Sequence, residues 1–229
     1  MVDRKLAVLV FHVQELSIAK AQGNRAGEGR AYNELGDAHY DLGDFQQAIE
    51  HYTQSLSIAK EVGNKSGEGV AYGKLGNVYH RLGNFNKALE YRKQYLSIVK
   101  EVGSRAGEGI ACGNLGSAYH CLGNFKQAIE YHKQAFSIAN EVADKKEEGR
   151  AYGNLGIAYR GLGNFKQAAE YQKQQLSIAK DVQKSHPKAT RFWILLRICE
   201  FVGRYISLMY TVRAFPESSC SSRKLFLCA

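Results

Sequence analysis

Proline is almost absent from this 229-residue sequence. Pro187 and Pro216 are the only two, so nothing before Pro187 carries the residue that breaks helices. Tryptophan occurs once, as Trp193, and cysteine five times. Cys112, Cys121, Cys199, Cys220 and Cys228 form no CxxC pair and follow no regular spacing, which argues against a disulfide framework and for reduced thiols in a cytosolic setting. Long uncharged apolar runs are also missing. The most apolar stretch, 192–215, is interrupted by Arg197, Glu200, Arg204 and Arg213, so a bilayer crossing is not expected. Leu6 to Val10 is too short a run for a signal peptide, and no small-residue cleavage site follows it. The net charge is +9, but five of those charges lie after Pro187. The larger part of the chain is therefore nearly balanced, which counts against nucleic acid as a partner.

Glycine, by contrast, is abundant, with 23 residues, and it is placed periodically. Shifted by forty residues the sequence matches itself. Leu35, Leu75, Leu115 and Leu155 fall in register, as do Gly36, Gly76, Gly116 and Gly156, and Ala48, Ala88, Ala128 and Ala168. A fixed period of this length marks a solenoid, in which each unit buries its apolar face only against its neighbours. A finer period of twenty sets the helices: Gly23-Asn24, Gly43-Asp44, Gly63-Asn64, Gly83-Asn84, Gly103-Ser104, Gly123-Asn124, Ala143-Asp144 and Gly163-Asn164. Glycine ends a helix without a Cβ penalty, and Asn, Asp or Ser caps the first amides of the next. Helices of about eighteen residues, some 27 Å long, therefore alternate with two-residue turns and run antiparallel. At Asp144, Glu147 three positions on predicts a reciprocal capping box.

Residues 1–23 read as a half-unit, because Leu16 to Lys20 repeats Leu56 to Lys60 while Arg4 and Lys5 stand where Asp44 and Phe45 would be. Four full units follow, at 24–63, 64–103, 104–143 and 144–183. The first helix of each carries the pattern Tyr72-x-x-Leu75-Gly76-x-x-Tyr79, and the second carries Phe85-x-x-Ala88. These residues lie three and four apart on one helical stripe, and the small ones let two axes approach. The chain resembles the tetratricopeptide repeat (TPR) proteins, whose W-x2-L-G-x2-Y and A-x3-F patterns it matches with Tyr32, Tyr72, Cys112 and Tyr152 in the Trp place. It departs from them in keeping the aromatic after Ala-x3 only at Tyr52, with Arg92, His132 and Gln172 in the other units, and in lacking the closing proline. The long unit, the Gly-Glu-Gly before each first helix and the Leu-Gly-Asn triplets look like the TPR half of the G-protein-signalling modulators, the Pins-type adaptors of spindle orientation. The likeness covers residues 11–183. It implies an all-α, right-handed TPR superhelix of antiparallel helix pairs, whose inner face holds extended peptides from partner proteins. The family's short Gα-binding motifs are not seen here, so Gα binding is not carried over.

Helix geometry assigns the groove. If Tyr32, Leu35, Gly36 and His39 face the second helix, then Arg30, Glu34 and Asp37 face away, with Asn33 at the flank. The corresponding positions hold Lys74, Asn77 and Arg81, then Asn114 and Ser117, then Arg150 and Asn154, with His80, His120 and Arg160 flanking. The face is acidic in the first unit, basic in the second, and amide-bearing beyond. Asn side chains can donate to and accept from a peptide backbone. Resemblance makes Asn114 and Asn154 the best matches to the family's groove, with Glu34 and Lys74 departing from it. The alternative is a merely solvated face.

Chemistry beyond binding finds little support. His80, His120 and Cys121 lack metal-ligand spacing, and repetition explains the histidines. Gly67-Glu68-Gly69 and the Gly63-Asn64-Lys65-Ser66 turn imitate phosphate loops but follow helices instead of strands. No cofactor, metal or catalytic site is expected. Gly113 and Gly153, inside first helices, suggest crowding at the repeat interface. Residues 187–215 read either as a degenerate fifth unit capping the array or as a foreign segment, and a membrane-surface helix is the less favoured third reading; 216–229 reads as a disordered tail. The function expected is that of a non-enzymatic adaptor binding an extended partner segment. The alternatives are a fragment of a larger array with a structural or self-association role, or the repeat region of a protein whose enzymatic domain lies elsewhere.

Overall fold

The computed structural model describes residues 2–185. They form α1 (Val2–Ala21), α2 (Arg25–Leu42), α3 (Phe45–Glu61), α4 (Lys65–Arg81), α5 (Phe85–Glu101), α6 (Arg105–Cys121), α7 (Phe125–Glu141), α8 (Lys145–Gly161) and α9 (Phe165–Ser185). There is no strand among the described residues. The readings made for 187–215 and 216–229 lie outside the described residues.

Each turn is built as its residue pair dictates. Gly23, Gly43, Gly63, Gly83, Gly103, Gly123 and Gly163 all adopt positive φ, between 65° and 85°. The next residue's side chain accepts from the amide three residues on, as Asn24 does from Gly27, Asn64 from Gly67 and Asn124 from Gln127. Ala143 takes the same left-handed conformation, φ 56°, despite its Cβ. At Asp144 the capping box forms only in part. Asp144 accepts from the amides of Lys146 and Glu147, but the Glu147 carboxylate turns to Arg150 at 2.7 Å, and the Asp144 amide donates to Ala139 O instead. A cation one turn ahead competes better for that carboxylate than a backbone amide does.

The core runs the length of the array as a repeated stripe. Leu35, Leu75, Leu115 and Leu155 are at most 2% exposed, and Ala48, Ala88, Ala128 and Ala168 at most 5%. The register glycines admit one bulky side chain per unit. A Cβ on Gly36 would lie 2.5 Å from the Tyr52 ring, and one on Gly116 would lie 2.5 Å from the His132 ring. Gly113 lies at the repeat interface between α6 and α8 but with room to spare (Ala135 Cβ at 3.9 Å), so the crowding expected there is not found, while Gly153 packs tightly against the Gln175 amide of its own unit's second helix.

Successive helices pack on one another from α1 to α8, and α9 meets α8 through Ala168 and Tyr171; direct contact between helices two apart is found within the first-helix set, α2 with α4 and α6 with α8. Comparable contact is made neither by α4 with α6 nor by the second-helix pairs α3–α5 and α5–α7. Within these two pairs, α2 with α4 and α6 with α8, the first helices approach each other most closely, and their outward positions lie on the same side of the repeat.

Candidate functional groove

The surface shared by α2, α4, α6 and α8 is interrupted by clefts that obey the repeat. Between α2 and α4 lies a cleft of about 260 Å³, walled by Arg30, Asn33 and Glu34 on one side and Val70 on the other, with Ser55 and Ile58 of α3 as its floor. Two units further, α6 and α8 make the corresponding cleft of about 40 Å³ from Ile110, Arg150 and Asn154, floored by Ala135 and Ile138. The position between them differs. Tyr95, the counterpart of Ser55 and Ala135, rises from α5 and packs beside Gly69 and Gly73, so an aromatic ring stands where its neighbours leave space. Burial pushes its phenol up, which keeps it a neutral donor.

The residues expected in the groove meet different fates. Asp37 and Lys74, expected to offer the groove an acid and a base, are paired with each other across α2 and α4 at 2.7 Å, and Asp37 also accepts from the Tyr52 hydroxyl at 2.6 Å. With both carboxylate and ammonium about one-third exposed, the pair orders the two helices but leaves neither charge fully available. Arg150 is likewise held by Glu147. Ser117 donates its hydroxyl back to Gly113 O at 3.0 Å, within its own helix. Asn77 and Arg81 are exposed on α4, and Asn114 and Asn154 are half-buried on α6 and α8.

The flanking histidines belong to the packing at the far ends of the first helices. His80 lies edge-on to Phe85, with ring centroids 5.4 Å apart, and His120 repeats the arrangement with Phe125 at 5.2 Å. Burial, and then the nearby Arg92 and Arg81, push the His80 imidazole down, so it is neutral near pH 7. His120 joins Arg160, Ile157, Cys121, Phe85 and Phe125 around an open aromatic cleft at that end. Among the described residues no group of three His, Cys, Asp or Glu side chains could hold a metal ion, and no helix is long and apolar enough to cross a membrane.

Three residues that shape the groove were not singled out for it from the sequence: Ser55, Tyr95 and Arg92. All lie on second helices, at positions where the repeat stops repeating. Ser55, Tyr95, Ala135 and Gln175 share one register, and Tyr52, Arg92, His132 and Gln172 the other. That variability inside an otherwise strict pattern was the available signal.

Comparison with known proteins agrees with this architecture. Of the curated proteins, G-protein-signaling modulator 1 from Mus musculus is 50% identical over 38 residues, 17% of this chain, with the same figures for Rattus norvegicus and Homo sapiens. The match spans only 6% of the length of those relatives. Of the solved structures, BtubC (BKLC) from P. vanneervenii superposes with a TM-score of 0.68 over 98% of both chains at 17% identity. The nearly identical TPR-like repeats of a putative kinesin light chain from Podosopora anserina give 0.68 over 80% of this chain and 90% of theirs, at 18% identity. At such identities the superpositions establish the fold. A family model described as tetratricopeptide repeat matches residues 16–101 and 109–181, and with it the chain belongs to the tetratricopeptide repeat family.

Proposed function

We propose that this chain is a non-enzymatic adaptor that holds an extended segment of a partner protein along the face made by α2, α4, α6 and α8. The observation that carries the reading is the recurrence of one cleft, between α2 and α4 and again between α6 and α8, with polar side chains at its rim and an isoleucine, Ile58 or Ile138, in its floor. A segment in extended conformation advances roughly 3.3 Å per residue, so side chains spaced along it can enter successive clefts while its backbone meets the rim amides. Helices hold those amides with little ordering cost on binding. Asn114 and Asn154 are the backbone-reading residues in this proposal, with Asn33 and Asn77 in supporting positions. Arg30, Glu34, Arg81 and Arg160 remain for side chains of opposite sign. The short match to the G-protein-signaling modulators suggests an adaptor in G-protein signalling or spindle orientation.

The test is a peptide selected by the full chain from a phage-displayed library of random dodecamers. Replacing Asn114 and Asn154 together by Ala should weaken that peptide about tenfold, as expected for two net hydrogen bonds of about 0.5–1.5 kcal/mol each, with little change in melting temperature. Unchanged affinity would remove the groove assignment. A second reading, that the chain is one segment of a larger array, draws on α1, where Phe11 and Ile18 are each 56% exposed on a helix of the second-helix type. Concentration-dependent self-association of the isolated chain would favour it.

A further inference from the structure

The core of the second unit holds a cation without an anion. Arg92 occupies the register of Tyr52 and His132, and like them it is buried, at 4% exposed. Its stem passes Gly76, where a Cβ would come within 3.0 Å of the Arg92 Cγ, and its guanidinium reaches across to α6 to donate from Nη1 to Asn114 O at 2.8 Å. That carbonyl lies inside a helix and already serves the helical ladder. Nε is buried with no partner. No carboxylate among the described residues lies against the group, and burial pushes Arg92 down to about 10. The neighbours within electrostatic reach are His80, neutral for the reasons given above, and Cys121, whose thiol burial pushes up and so keeps protonated.

The first unit shows what is missing. There the corresponding side chain, Tyr52, ends on the carboxylate of Asp37, which Lys74 then neutralises. In the second unit the position of Asp37 is held by Asn77, so the side chain that reaches up is positive and the chain's own acid is absent. A buried guanidinium left unpaired is costly, and the cost falls when a carboxylate arrives in a geometry that accepts two parallel N–H bonds.

We propose that the groove between α4 and α6 contains an anion site, in which Arg92, reaching up from α5 to Asn114, takes the carboxylate of an Asp or Glu on the bound segment, with Arg81 at its rim. The proposal rests on the groove reading above and adds to it the chemistry of one residue of the partner: an acidic side chain at a fixed position.

The full chain is again used to select from random dodecamers, and the selected peptide is then made with its acidic residue as Glu and as Gln. Both are titrated against the wild type, Arg92→Gln and Arg92→Tyr, the last restoring the residue that the first unit carries in this register. The expected result is one acidic position common to the selected peptides. Its Glu→Gln exchange should cost about tenfold to a hundredfold with the wild type, the range of a charge-assisted hydrogen bond, and much less with either Arg92 variant. Selected peptides without a shared acid, or a Glu→Gln exchange that costs nothing with the wild type, would overturn the anion site while leaving the Asn114 and Asn154 test of the groove standing. Failure to select any peptide would overturn both. Because the peptide exchange reads the site in the unaltered protein, the outcome does not depend on how either variant folds.

Discussion

His132 shows how one substitution in a repeat changes the physics of a unit. It fills the place of Tyr52 against Gly116, is 2% exposed, and its Nδ1 is buried with no partner. Burial, assisted by nearby His120, pushes its imidazole down to about 4 from an ordinary value of 6.5. An unfolded chain takes up the proton near pH 6.5 while the folded one resists until about pH 4, so in that window the unfolded state binds more protons. Stability should therefore fall as pH drops from 6.5 toward 4, by on the order of 3 kcal/mol in all from this group. His51 and His80, also pushed down chiefly by burial, add in the same direction. Urea titrations at pH 7 and pH 4.5 on the wild type and His132→Tyr would check this: the variant should lose distinctly less stability on acidification, and equal losses would contradict it. The sequence displayed the substitution plainly, as Tyr, Arg, His and Gln in one register. Its consequence was not legible there, because burial and missing partners are properties of packing. Asp37 and Lys74 make the same point from the opposite side. Their placement on the groove face followed from helical spacing, but their mutual neutralisation depends on how far apart α2 and α4 sit.

At the scale of the element, the turns were the most legible part of the chain, since a glycine followed by a capping side chain is a local instruction that tertiary packing has no reason to override. The helix boundaries fall where those pairs stand. The one turn that departs from the rule, Ala143-Asp144, still folds the same way, with the Ala143 amide donating to Asn140 O and the Asp144 amide to Ala139 O. Its cost is the steric penalty of an L-residue with φ 56°. Ala143→Gly should relieve that penalty and raise stability by about 1 kcal/mol, somewhat less than the full left-handed penalty because glycine also loses more freedom on folding. Chemical denaturation of the two proteins measures it, and a variant no more stable than the wild type would mean that strain at this turn has been absorbed elsewhere. The reciprocal capping box expected at the same turn does not close, and the reason is chemical. The motif specifies which bond Glu147 can make, but Arg150, one helical turn on, offers it a charged alternative.

At the scale of the molecule, stability in a repeat array is close to a sum over neighbouring interfaces, so it should vary along the chain. Helices from α2 to α7 each have a packed neighbour before and after them, whereas among the described residues α1 packs chiefly on α2. Its register explains what it leaves uncovered. Val8 and Ile18 stand where Ala48 and Ile58 stand in α3, positions that are 0% and 2% exposed beneath a first helix; in α1 they are 44% and 56% exposed. Each large aliphatic side chain left in water forgoes about 1.5–3 kcal/mol of burial. Opening of α1 should therefore precede global unfolding, and amides of α1 should exchange with solvent at least about a hundredfold faster than those of α6 in native-state hydrogen exchange. Uniform protection from α1 to α7 would show instead that the array unfolds as one cooperative block. Graded protection would bear directly on the groove: the cleft between α2 and α4 would lie one helix away from the end that opens first, whereas Asn114 and the Arg92 site, on α5 and α6, would lie well away from it.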